Sequence, residues 1–221
     1  MEHPGAAWLD GRPGRDHVRM AGTSPGRRGS PVLMVLLAAG GWGLLAVVDL
    51  LGVWIANLWL LAWLILGAAW LVAITATAAA VAMLWLRHGP RWAIPTLALS
   101  LAAPLMFAAI DWTYTFAHGF YRLNQADFAA VAALARTGGL DDTGYYGEPL
   151  PPDLRHLSIN GRAAHLGATD VFLPAWAGIP DGAIGYAHLT NPDPAHTYDC
   201  FADPCRIHWS LGDGWYWLDR T

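Results

Sequence analysis

The sequence predicts a membrane α-helical protein: three transmembrane helices followed by a small extracytoplasmic α+β domain, with one helix on an antiparallel sheet of four to six strands. Three observations lead there. Charged residues make up only 14% of the chain, against about a quarter in an ordinary soluble domain. The shortage is concentrated, because Asp49 is the only charged residue between Arg28 and Arg87 and none lies between Arg91 and Asp111. From residue 112 onward the text changes to short alternating segments punctuated by Gly, Pro and Asn, the pattern of strands and turns.

Residues 1–31 are rich in Gly, Pro, Arg and small side chains and have no apolar period, so they predict a disordered cytoplasmic tail. Five arginines (Arg12, Arg15, Arg19, Arg27, Arg28) outnumber three acids there, and a start at Met20 would remove most of the tail. Residues 32–86 form one apolar tract. A spanning helix needs about 20 residues, so the tract predicts two helices, at about 32–55 and 58–86, with a turn near Ala56-Asn57. A third, at about 92–110, holds Pro95 in its first turn and Pro104 in its interior, where a missing N–H predicts a kink. Together these make a transmembrane region over 32–111.

Orientation follows from arginine. Arg27 and Arg28 precede the first span, and Arg87 and Arg91 occupy the short loop between the second and third. Basic residues collect on the cytoplasmic side, so the N-terminus is expected inside and the domain over 112–221 outside a cytoplasmic membrane. Tryptophan and tyrosine favour the headgroup level and mark the same boundaries: Trp85 and Trp92 inside, Trp54 and Trp59 at the outer turn, Trp112 and Tyr114 at the outer exit. A secretory signal peptide competes for the first span, but the apolar run is too long and continues into more membrane. All 13 basic residues are arginine, which with the abundance of Ala, Gly, Pro and Trp points to a GC-rich bacterial genome.

In the outer domain, 124–138 predicts a helix with Asn124 as N-cap, Asp127 in the first turn, Phe128, Val131 and Ala135 on one face and Gly138 as stop. Asn160-Gly161 predicts a hairpin turn between "LRHLSI" and "RAAHL". "DVFLPAW", "GAIGYAHL", "RIHWSL" and "WYWLD" predict further strands, the last two joined through Gly212-Asp213-Gly214.

Cys200 and Cys205 are the only cysteines. A metal site would want more ligands, and a redox pair is more often C-x-x-C in a βαβ setting. An oxidising compartment favours a disulfide closing a short Pro-containing loop. The predicted hairpin would set His156 directly opposite His165, close enough for a shared metal with a third histidine; the plain alternative is a cross-strand surface pair. Trp209, Trp215, Tyr216 and Trp217 offer either a ligand or interface surface or a domain core. Asp49 is the sole ionisable residue within the predicted spans, a functional candidate by default, and Ala69, Ala73 and Thr77 recur every four residues as in close helix packing.

The net charge of −4 and the absence of a basic patch outside the N-terminal tail argue against nucleic acid. No nucleophile elbow, phosphate-cradling loop, zinc-protease helix or EF-hand loop is written in the chain, and no cofactor is implied. The expected partners are the lipid bilayer and either another membrane protein or further copies of this chain. The expected role is a non-catalytic binding, sensing or assembly module; the rivals are a metal-dependent protein using His156 and His165, and a subunit of an oligomeric transporter or channel using Asp49.

Overall fold

The computed structural model describes residues 31–140, 144, 146–167, 169–179 and 181–221, so the expected tail over 1–30 lies outside the described residues. Four helical segments come first. Helix α1 (Pro31–Leu50) breaks at Leu51, and the short α2 (Gly52–Ile55) with a following 3-10 turn (Ala56–Leu58) departs from it at 65°. Helix α3 (Leu60–His88) runs back beside α1, and α4 (Pro90–Ala108) returns, with Pro95 and Pro104 both inside it.

The first span was expected to continue to residue 55. It stops at Leu50 because the next turn is spent on the domain: Trp54 stands edge-on to Phe116 and Phe120, with ring centroids 5.3 and 5.2 Å away. Trp54, expected to mark the outer turn, is half-buried against the domain core. The small-residue stripe on α3 is used within the chain. Ala69 and Ala73 are buried with Leu45, Thr77 Oγ1 accepts from Trp42 Nε1 at 3.1 Å, and a Cβ on Gly41 would stand 3.0 Å from Ala73 Cα. Glycine at 41 lets the two backbones meet. Among the described residues, Leu60–Arg87 alone is long and apolar enough to cross a bilayer, with mean hydropathy 2.2, and the bent α1–α2 pair makes a second if counted as one crossing.

The domain opens with a helix the sequence reading did not anticipate. Helix α5 (Trp112–Leu123) is capped by Asp111, whose carboxylate accepts from the Tyr114 N–H at 2.9 Å. Helix α6 (Gln125–Thr137) follows as expected, burying Phe128, Val131, Ala132 and Ala135 and stopping at Gly138 with φ 71°. Asn124 holds the N-cap position without capping; its amide donates to Phe120 O at 2.8 Å and closes α5 instead.

Seven antiparallel strands form one curled sheet in the order β1-β2-β3-β4-β7-β6-β5: β1 (Glu148–Pro149), β2 (Arg162–His165), β3 (Val171–Ala177), β4 (Ala183–His188), β5 (Tyr198–Cys200), β6 (Asp203–Gly212) and β7 (Trp215–Arg220). The count exceeds the expected four to six through the very short β1 and β5. Both faces are covered. Val171, Leu173, Tyr186, Trp215 and Trp217 meet α5 and α6 on one side, while Phe172, Ala187, Leu218 and both cysteines fill the other. A strand buried on both faces reads as a continuous apolar run, as "VFLPAW" does.

The predicted hairpin around Asn160-Gly161 is not formed. Arg155–Leu157 is a 3-10 turn, and β2 pairs with β1 and β3. Leu154 and Leu157 are both buried, and a three-residue spacing puts them on one side of a helical turn, not of a strand. Asn160 caps a local turn instead, accepting from the Ser158 hydroxyl at 2.7 Å and the Arg162 N–H at 3.0 Å.

The Cys200–Cys205 disulfide is formed, and both cysteines are fully buried. It ties β5 to β6 across a two-residue turn in which Phe201 and Ala202 both have positive φ, 59° and 65°. That backbone favours Asn and Gly. Here the Phe201 ring is buried against Phe172, 5.8 Å away, and the Asp199 carboxylate accepts from the Ala202 N–H at 2.7 Å. Replacing Cys200 and Cys205 together with serine should cost about 2 kcal/mol, the chain-entropy value for so short a loop. Thermal unfolding of the purified protein with and without reductant reads this directly: reductant should lower the wild-type midpoint and leave the variant unchanged.

One side chain joins helices to sheet. Asn57, in the turn before α3, donates to Val53 O, Trp54 O and Ala175 O at 3.2, 3.1 and 3.5 Å, and its Oδ1 accepts from the Ala177 N–H at 3.1 Å. Asn57→Leu should cost about 1–3 kcal/mol, the penalty for leaving part-buried backbone groups without partners, and should raise hydrogen exchange at Ala177 first.

Candidate functional site

The residues singled out from sequence fall in four separate places. His156 lies on the 3-10 turn, its Nε2 3.2 Å from the Asp127 carboxylate and 3.3 Å from Asn124 Oδ1, and its Nδ1 2.9 Å from Asp153 O. It pins that turn to the start of α6. His165 lies on β2, facing a polar cleft of about 640 Å³ that His196 and Asp199 also line; its Nε2 is buried without a hydrogen-bond partner. The two histidines do not oppose one another, because the strand that would have carried His156 is a helical turn. Among the described residues no three His, Cys, Asp or Glu side chains converge as metal ligands.

Trp215 and Trp217 do share a face, but it is the inner one. Trp215 packs on Phe128 at 4.8 Å and Trp217 on Tyr186 at 5.0 Å, both in the core, and Trp215 also forms part of the wall of a cleft against α5 and α6. Tyr216 points to the opposite side against the second cluster. Trp209 stays partly open beside Tyr114, 5.4 Å away.

Asp49 lines a largely apolar cavity. Where α1 bends into α2 and α3 begins, a cavity of about 420 Å³ opens between Asp49, Gly52, Trp59, Trp63 and Leu66, and Trp176 of β3 closes it from the domain side. Asp49 Oδ2 is buried without a hydrogen-bond partner. Trp59 adopts φ 56°, ψ −118°, a conformation costly for a bulky residue, which swings its ring to the cavity mouth. Helices and domain thus build this space together. Trp176 could not have been found from sequence; Asn57, which positions it, had a signal in being the only amide side chain in the apolar tract.

A second cleft, about 670 Å³, lies between α5–α6 and the turn after β6. At its rim Asp213 accepts from the Tyr121 hydroxyl at 3.0 Å and from Gln125 Nε2 at 2.7 Å. The Gln125 and Tyr121 hydrogen bonds hold the Asp213 carboxyl below its usual range, while burial and then Asp213 push Tyr121 up to about 12. His188 lines the same cleft, buried, with Nδ1 unpartnered. Burial lowers its pKa, Arg136 adds to the effect, and Asp170 opposes it. No protein-family model, curated protein or solved structure matches this chain.

Two outcomes follow. The unfolded chain protonates histidine near pH 6.5, while folded His188 takes its proton only at lower pH. Between those values the unfolded state binds more protons, so stability rises with pH. Its contribution is complete above about pH 7 and declines as pH falls below 6.5, so the thermal midpoint should drop from pH 7.5 to 5.5, and His188→Phe should flatten that slope. Asp49→Leu should raise the midpoint, because it removes an unpartnered carboxylate from apolar surroundings, a change of roughly 1 kcal/mol or more. A lower midpoint for Asp49→Leu would mean that the carboxylate serves the fold.

Proposed function

We propose that this chain is a non-catalytic bacterial membrane protein of three crossings that presents its disulfide-stapled α+β domain at the outer face of the cytoplasmic membrane for binding, sensing or assembly. The observation that carries the reading is where the large apolar side chains point. Leu60, Leu64, Leu71 and Leu86 on α3, and Leu101 and Leu105 on α4, are each 63% or more exposed. Side chains of this kind over helices of 29 and 19 residues require a cover of lipid or protein.

Geometry supports the number of crossings. The chain leaves the domain at the Asn57 turn and re-enters it at α5, so α3 and α4 run out and back. At 1.5 Å per residue they are about 43 and 28 Å long, the first about the full thickness of a bilayer with its headgroups and the second about that of the hydrocarbon core. The packing of α1 on α3 supplies the third. Arg87 and Arg91 flank the far end, away from the domain, and favour that end as the cytoplasmic one. The bilayer is the first partner in this reading, and a second membrane protein or another copy of the chain is the next.

Reporter cysteines test it in intact cells. Ala195→Cys, in an exposed loop of the domain, should react with a membrane-impermeant maleimide from outside, and Ser24→Cys, ahead of α1, only after permeabilisation. The opposite pattern would put the domain in the cytoplasm and reject this reading.

A further inference from the structure

We propose that the junction between helices and domain is a binding site for one phospholipid whose headgroup pairs a phosphate with a primary ammonium. The inference rests on the membrane reading above and names the ligand of the junctional cavity. A second, more polar cavity of about 470 Å³ adjoins the first and shares Trp59 and Trp176 with it. The lower space is apolar apart from Asp49. The upper space carries Arg220, Asp203 and Asp181. Two adjoining cavities, apolar below and charged above, match the division of a lipid into chain and headgroup.

The charges define the headgroup. Arg220 lies with its guanidinium carbon 4.3 Å above the Trp176 ring, and its Nε is 3.5 Å from Asp203 Oδ2. The Asp203 contact uses one edge of the guanidinium, and its fork geometry leaves further N–H groups for a phosphate. Asp181 and Asp203 supply two carboxylates to the same space. One cation beside two anions is the complement of a phosphate carrying an ammonium, and a carboxylate accepts hydrogen bonds from a primary ammonium but not from a quaternary one. A phosphoglycerol headgroup carries the same single phosphate charge but has no cation to place against Asp181 and Asp203. Trp59 and Trp176 then lie between headgroup and chain, the level that indole rings favour. The strained Trp59 backbone fits the same role, since strain of this kind persists where the surrounding structure requires a particular ring position.

The test is native mass spectrometry of the full chain released from nanodiscs holding equal parts phosphatidylethanolamine, phosphatidylcholine and phosphatidylglycerol. One phosphatidylethanolamine should be retained over either rival by about tenfold, the factor that one charged hydrogen bond supplies. Arg220→Gln and Asp181→Asn should each abolish the preference, while Arg206→Gln, on β6 away from both cavities, should keep it; unfolding midpoints confirm that each variant is folded. Equal retention of the three lipids, or a preference that Arg220→Gln and Asp181→Asn leave intact, would overturn the site while the membrane reading stands. A chain that fails to enter nanodiscs would overturn both.

Discussion

A single amide decides how the two halves of this protein meet. Asn57 satisfies carbonyls on its own helical turn and both a carbonyl and an N–H on β3, so the turn between α2 and α3 is fixed to the sheet as a strand neighbour would be. Once it is fixed, α1 cannot run straight into that turn and bends by 65°, Trp54 enters the domain core, and Trp59 must take an unusual backbone to start α3. The cavity with Asp49 is the space left inside that bend. An amide suits the position because it donates and accepts at once, which no apolar residue of the surrounding tract could do.

Much of this was legible in the sequence, and what was missed has physical causes. Apolar runs and arginine positions located α1, α3 and α4 to within a few residues, because long uncharged runs broken by a turn and by a short arginine-bearing loop are visible in composition alone. Helix α6 was readable from Phe128, Val131 and Gly138. Helix α5 was not, because "WTYTFAHGFYRL" mixes aromatics and β-branched residues of modest helix propensity and owes its form to Asp111 and the packing of Phe116 and Tyr121. Asn160-Gly161 misled because a local turn signal carries no information about what flanks it. Leu154 and Leu157 found more burial as a helical turn, and the pairing of His156 with His165 went with the lost strand.

The candidate site was only half visible. Asp49 stands out in any reading of the apolar tract, but Trp176 reaches its cavity from the sheet, more than a hundred residues away, and Arg220 lines the adjoining one instead. Of the aromatic residues offered as either ligand surface or core, Trp215 and Trp217 are core, whereas Trp59, expected to mark the outer turn, lines the cavity beside Trp63. Composition identifies aromatic residues that need an apolar environment, and topology decides which environment each receives.

The sheet also bears on how copies of the domain can meet. Strand β5 covers only the first three residues of the ten-residue β6, leaving 206–212 without a strand partner on that side among the described residues. Both irregularities in the pairing of β6 with β7 fall in that uncovered half, between Ile207 and Trp209 and between Ser210 and Gly212. Bulges twist an edge away from the flat register that a foreign strand needs, and Arg206 and His208 add side chains unsuited to stacking there. Copies of the domain can therefore be crowded together without polymerising strand to strand.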